Sequence, residues 1–206
     1  IIGYIGENNV ASEVVYRGLE ALEYRGYDSC GMALFDEDSS DVKVFRAIGP
    51  PSELNESEIS SFCGIGHTRW ATHGVVTISN AHPHSSQDGE IYLVHNGVIE
   101  NAEEAKGLLV DKGCEFYGET DSEILVNLIA YYNKADSTPL DALKKSLNFV
   151  EGTYGLVVLF KSEVGKKIYA ARRSSPLVIG VGEKEYFVSS DTIAIPSHVK
   201  RVAYLE

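Results

Sequence analysis

The sequence predicts an α+β fold with mostly antiparallel sheets, on three observations. Strand-like runs come in hairpin-spaced pairs. The helical patterns form a consecutive set between Asn101 and Val150, where a parallel fold would alternate them with strands. A content of 44% hydrophobic residues over 206 suits one domain with a full core.

The elements follow in order. "IIGYIG" reads as an apolar strand. "NVASEVVYRGLEALEYRG" is an amphipathic helix, with Ala11, Val14, Val15, Gly18, Leu19 and Leu22 on one face, Asn9 as its cap and Gly26 as its stop. "CGMALFD" and "DVKVFRAIG" make a hairpin around a polar turn at Asp36 to Asp41. "PPSELNESEISS" is a polar loop with a short helix. "GIGHTRW" and "EIYLVHNG" are strands separated by a loop from Ala71 to Gly89, long enough to suggest function. "NAEEAKGLLVDKG" is a helix capped by Asn101, and in "TDSEILVNLIAYYN" Thr120 and Glu123 form a capping box. In "TPLDALKKSLNFV", Thr138 caps and Pro139 takes the first helical position. Strands fill the rest from Thr153, punctuated at Gly165, Gly182 and Pro196.

Composition narrows the function. A net charge of −12 and a pI near 4.9 oppose binding to a nucleic-acid backbone or an anionic membrane. No apolar run is long enough to span a bilayer, and no signal peptide is visible. Three scattered cysteines without a CxxC fit a reducing, cytoplasmic protein without disulfides.

Five of six histidines lie between His67 and His95, and "HPH" could offer two imidazoles to a metal. No HExxH or cysteine pair accompanies them, so hydrogen-bonding histidines are the better reading and no metal is expected. Cys63 and His67 could make a nucleophile pair. On a strand, however, they lie about 13 Å apart, and all three cysteines read as structural.

Arg69 and Trp70 end a strand at "RWATHG"; the arginine either pairs with a surface carboxylate or holds a ligand carboxylate in a two-bond fork. Asn96-Gly97 reads either as a hairpin turn or as an oxyanion hole made from a side-chain amide and a backbone N–H. Asp121 suits a helix N-terminus by its charge alone, and it could equally hold an ammonium group. Together Arg69, Asp121, Asn96 and Gly97 match an amino-acid zwitterion with a reactive side-chain carbonyl; what they lack is a nucleophile.

"LEYRGYDSCG", "GIGHTRWATHG", "NAHPH", "VHNGVIEN", "ETDSE" and "SPLVIG", in this order from Ile1 to Glu206, resemble the class II glutamine amidotransferase domain of the glucosamine-6-phosphate synthase family. The resemblance implies an N-terminal nucleophile hydrolase-type four-layer sandwich, with two mostly antiparallel sheets between helix layers. It implies hydrolysis of L-glutamine to L-glutamate and ammonia, for amination of fructose 6-phosphate, without a cofactor. It assigns the oxyanion hole to Asn96 and Gly97, the substrate carboxylate to Arg69 with Thr72 and His73, and the ammonium to Asp121. Trp70 falls to the loop that covers glutamine, and Arg25 and Gly26 to the surroundings of the nucleophile. That nucleophile is expected in a Cys-Gly pair before Ile1. The 206 residues make one glutaminase domain; the sugar isomerase domain is expected as a further part of a longer, homo-oligomeric chain. Cys30 departs from the family's usual small residue and reads as a packing change. Three other functions stay open: a glutamine sensor without turnover, an amidotransferase with a different acceptor, and a metallohydrolase built on the histidines.

Overall fold

Alternation along each strand decides which layer every side chain joins. The computed structural model describes residues 1–54, 59–71, 74–133, 137–163 and 167–206. The larger sheet contains β1 (Ile2–Gly6), β2 (Ser29–Asp36), β3 (Asp41–Ile48), β4 (Cys63–Arg69), β9 (Val178–Val181), β10 (Glu185–Ser189) and β11 (Arg201–Tyr204), in the order β11-β9-β10-β1-β4-β2-β3. The smaller sheet, in the order β5-β6-β7-β8, contains β5 (His84–Ser85), β6 (Ile91–Ile99), β7 (Gly152–Phe160) and β8 (Tyr169–Arg173). Every pairing among the described residues is antiparallel.

The two sheets face each other, and helices cover their outer faces. On β2, Met32 and Leu34 meet Val15, Leu19 and Leu22 of α1 (Ala11–Leu22), while Ala33 between them points into the space between the sheets. On β6 and β7, Tyr92, Val94, Val157 and Leu159 point inward to Ala33, Cys63 and Ile65. Leu93, Leu156 and Val158 point outward to α2 (Ala102–Val110), α3 (Asp121–Tyr132) and α4 (Pro139–Phe149). Three apolar cores therefore separate four layers, the arrangement the resemblance implies. Runs such as "GLVVLF" are apolar throughout because both faces of their strand are covered.

Local signals fare unevenly. The hairpin joins β2 to β3 with Asp36 opposite Asp41. Thr120 and Thr138 accept the Glu123 and Asp141 N–H groups at 3.2 Å, and Pro139 opens α4. The Glu123 carboxylate does not complete a capping box; it accepts the Tyr117 and Gly118 N–H groups, both at 2.8 Å. Asn9 does not cap α1; it donates to Ser60 at 2.7 Å and ties two loops. Asn101 makes no side-chain cap either; it donates to Phe149 O at 3.0 Å and accepts from Glu151 N at 2.8 Å, fixing the start of α2 beside β7. Gly165, expected in a turn, lies outside the described residues.

Candidate active site

A cavity of about 390 Å³ opens where the ends of β1, β4, β6 and β10 meet the start of α3. Arg69 is the last residue of β4, and the segment before β2 fixes the chain there. Asp28 N–H donates to Arg69 O at 3.0 Å, and Ala71 N–H donates to Asp28 Oδ2 at 2.8 Å. Gly26 packs so closely that a Cβ on it would stand 2.6 Å from Trp70 N. Its place in the site is thus to let the β4 exit approach, and it does not line the cavity itself.

Arg69 is 5% exposed and lines the cavity. Its guanidinium donates to the carbonyls of Gly74 at 3.3 Å and Val75 at 3.5 Å, so the same group that faces the cavity also holds the following loop. Trp70 lines the mouth, 58% exposed, with its ring 5.7 Å from that of Tyr27. Arg25 lines the opposite side and donates to Ser190 O at 3.0 Å. Thr72 and His73 lie outside the described residues.

Asn96 and Gly97 line the cavity from within β6, not from a turn: they pair with Gly155 and Tyr154 of β7. Gly97 has φ +134°, a conformation that side chains other than glycine's rarely adopt, and a Cβ there would run into the Thr153 carbonyl. The backbone at the cavity end of β6 thus depends on residue 97 being glycine.

Asp121 opens α3 on the cavity wall. Its Oδ2 accepts the Ile99 N–H at 2.8 Å, and its Oδ1 accepts from Ser122 Oγ at 3.3 Å. A carboxylate has about four acceptor positions, so these two bonds orient the group and leave capacity for a cation. Six of the sequence-derived site residues, Arg25, Arg69, Trp70, Asn96, Gly97 and Asp121, therefore meet at one cavity.

His67, His82 and His95 line the cavity and are buried, and His84 lies behind them. His67 and His82 stack with centroids 4.1 Å apart, and His84 meets His82 edge-on at 4.7 Å. His84 Nε2 pairs with Thr120 Oγ1 at 3.0 Å, and His95 Nδ1 with Ser122 Oγ at 2.9 Å. Burial depresses their basicity: His67 and His82 fall well below the ordinary value, and His84 falls to about 3. His95 is lowered too, though Asp121 opposes the shift. Among the described residues no three His, Cys, Asp or Glu side chains are grouped to hold a metal ion. Burial also pushes the Cys30 and Cys63 thiols up to about 12, which keeps them protonated and poorly nucleophilic.

Sequence reasoning missed two features. Ser190, after β10, lines the cavity and accepts from the Ile1 nitrogen at 3.0 Å; a polar "SSD" closing the apolar "YFV" was its only signal. His67, read as a partner for Cys63 or a member of the histidine cluster, instead places Nε2 2.8 Å from Asn96 Oδ1. No helix among the described residues is long and apolar enough to cross a membrane.

Known proteins resemble this chain in sequence and in fold. A family profile described as "Glutamine amidotransferase domain" matches residues 67–197. The glutamine–fructose-6-phosphate aminotransferase (isomerizing) of Clostridium perfringens is 42% identical over 208 residues, covering 100% of this chain and 33% of the relative. That of Bacteroides thetaiotaomicron is 44% identical over 211 residues, covering 100% of this chain and 34% of the relative. The chain thus spans about a third of the length of the curated relatives it matches. Among solved structures, glutamine phosphoribosylpyrophosphate amidotransferase from B. subtilis, complexed with ADP and GMP, superposes with a TM-score of 0.79 at 28% identity, covering 99% of this chain and 44% of that one. With a profile over most of its length, relatives that match the whole of this chain and a shared fold, the chain belongs to the glutamine amidotransferase family.

Proposed function

We propose that the chain is the glutaminase part of a longer glutamine–fructose-6-phosphate aminotransferase, releasing ammonia from L-glutamine for transfer to fructose 6-phosphate. The observation that carries this reading is the convergence of Arg69, Asp121, Asn96 and Gly97 on one cavity beside the Ile1 nitrogen. Arg69 binds the substrate α-carboxylate and Asp121 its α-ammonium, so the two ends of the zwitterion meet opposite charges. The side-chain carboxamide then lies toward Asn96 and Gly97.

The nucleophile is the cysteine that the family resemblance expects, with a glycine, ahead of Ile1. Its sulfur adds to the carboxamide carbon, and the thiol proton passes through the cysteine α-amine to the departing nitrogen. The Asn96 amide and the Gly97 N–H donate to the oxyanion that forms. Losing one such donor typically costs about 2.7–4 kcal/mol of transition-state stabilisation. Collapse breaks the C–N bond and expels ammonia, and water hydrolyses the glutamyl thioester to glutamate. Trp70 belongs to the cover over the bound substrate. The remaining length of the relatives houses the sugar-phosphate chemistry, in a reducing, cytoplasmic setting that fits three cysteines without a disulfide among them.

The test is a coupled assay on the full-length protein. Equimolar glutamate and glucosamine 6-phosphate are expected from glutamine and fructose 6-phosphate. Glutamate without any aminated sugar phosphate would overturn the acceptor, and no glutamate at all would overturn the glutaminase.

A further inference from the structure

An asparagine amide serves an oxyanion only with its nitrogen toward the substrate. Rotated by half a turn, the nearly isosteric oxygen would face the developing negative charge and repel it. Something must choose between the two orientations, and Asn96 is placed where its neighbour can do so. The neighbour is His67, on β4 of the opposite sheet, whose Nε2 lies 2.8 Å from Asn96 Oδ1.

The state of the His67 ring follows from its surroundings. It is 4% exposed and stacked on His82 at 4.1 Å, with the ring planes 29° apart. Its buried Nδ1 has no hydrogen-bond partner among the described residues. A proton on Nδ1 would bury an N–H without an acceptor, which folded proteins avoid. The proton therefore sits on Nε2, where Asn96 Oδ1 accepts it. Burial, the largest influence on the ring, keeps it neutral, so this tautomer persists at physiological pH.

We propose that His67 is the positioning residue of the oxyanion hole: its Nε2–H donates to Asn96 Oδ1 and holds the Asn96 Nδ2 toward the bound carboxamide. The proposal rests on the glutaminase reading above, and its test separates the two.

The experiment is steady-state glutaminase kinetics on the full-length protein with N96A, H67N, H67Q and the H67N/N96A double variant. Asn96→Ala is expected to lower kcat by roughly 10²–10³-fold with KM little changed. In His67→Asn the shorter amide falls short of Asn96, and kcat is expected to drop about tenfold, the bias of one lost hydrogen bond, at unchanged KM. In His67→Gln the terminal nitrogen reaches the Nε2 position, and kcat is expected to stay within about threefold. In the Asn96→Ala background His67→Asn is expected to cost nothing more, because its effect runs through the missing amide. Additive losses in the double variant, or equal losses in H67N and H67Q, would overturn the positioning role and leave the oxyanion hole intact. An unchanged kcat in N96A would overturn both.

Discussion

Replacing Asp121 with asparagine separates its two tasks. Its Oδ2 holds the Ile99 N–H at 2.8 Å, which fixes the end of β6 against α3. The same carboxylate faces the cavity, where an ammonium would meet a full negative charge. Asparagine keeps one carbonyl oxygen, which the Ile99 N–H can claim, and loses the charge. A hydrogen bond to a charged group is worth about 1.5–3 kcal/mol, so the Kd for glutamine should rise roughly 10- to 150-fold. The structural loss is smaller: a carboxylate at a helix N-terminus contributes about 0.3–1 kcal/mol to folding stability, which does not enter the affinity of the folded site. The control is 4-carbamoylbutanoate, which is glutamine without its α-amine. Its affinity should change by no more than about twofold, because no ammonium is present to lose a partner. Isothermal titration of both ligands into the wild-type and D121N full-length proteins makes the comparison. Equal losses for the two would mean that Asp121 serves β6 alone, and the assignment of the ammonium subsite would be refuted.

Other predictions follow from the same geometry. Arg69→Lys keeps a charge but not the planar fork that can hold a carboxylate and the Gly74 and Val75 carbonyls together, so glutamine affinity should fall at least tenfold by calorimetry; unchanged affinity would remove Arg69 from the carboxylate subsite. Gly97→Ala forces a side chain into φ +134° against the Thr153 carbonyl, and should cost about 1–3 kcal/mol in urea denaturation as well as kcat; a variant with wild-type stability would show that residue 97 need not be glycine. His67, His82 and His84 stay neutral when folded but take up protons near pH 6.5 when unfolded, so more protons are bound in the unfolded state and stability falls with pH below about 6.5. Each ring contributes about 1.4 kcal/mol per pH unit in that window, and urea midpoints at pH 7.5 and 5.5 should differ accordingly; equal midpoints would mean the rings are charged or exposed when folded.

What the sequence disclosed was what short-range periodicity can encode. The 3.6-residue spacing in "NVASEVVYRGLEALEYRG" puts Ala11, Val15, Gly18, Leu19 and Leu22 on one face, and all five are buried, with Val14 partly so. The Thr120 and Thr138 caps are visible because a cap is a bond over three residues. Asn9 and Asn101 looked like caps for the same reason, but their side chains spend their bonds on Ser60, Phe149 and Glu151, partners tens of residues away that no local pattern reveals. Nor does periodicity say that β1 lies between β4 and β10, since that order depends on chain segments 58 or more residues apart. Asn96-Gly97 misleads by itself because the dipeptide is the strongest short hairpin signal, yet Val98 and Ile99 continue the strand past it.

Chemical type and resemblance group Arg69, Asp121, Asn96 and Gly97 in the sequence, but the distances that bring them to one cavity are a product of sheet-on-sheet packing. Arg69 and His67 lie two apart on β4 and so share a face, and Asn96 lies on β6 in the other sheet. The distance between these strands is set by Ile65 and Val94 and the rest of the apolar layer between the sheets. Aliphatic packing fixes sheet separation near 10 Å, too far for backbone groups to meet and close enough for a histidine and an asparagine to span. The 2.8 Å contact between His67 and Asn96 is therefore where the inner core ends and the chemistry begins. A buried polar pair at that boundary demands a single relative position of the two sheets, since a shift of either would leave a ring nitrogen and an amide oxygen unpaired. The same bond that orients the amide thereby also registers one sheet against the other, which ties catalytic geometry to the packing of Ile65 and Val94 with no contact between those residues and the substrate cavity.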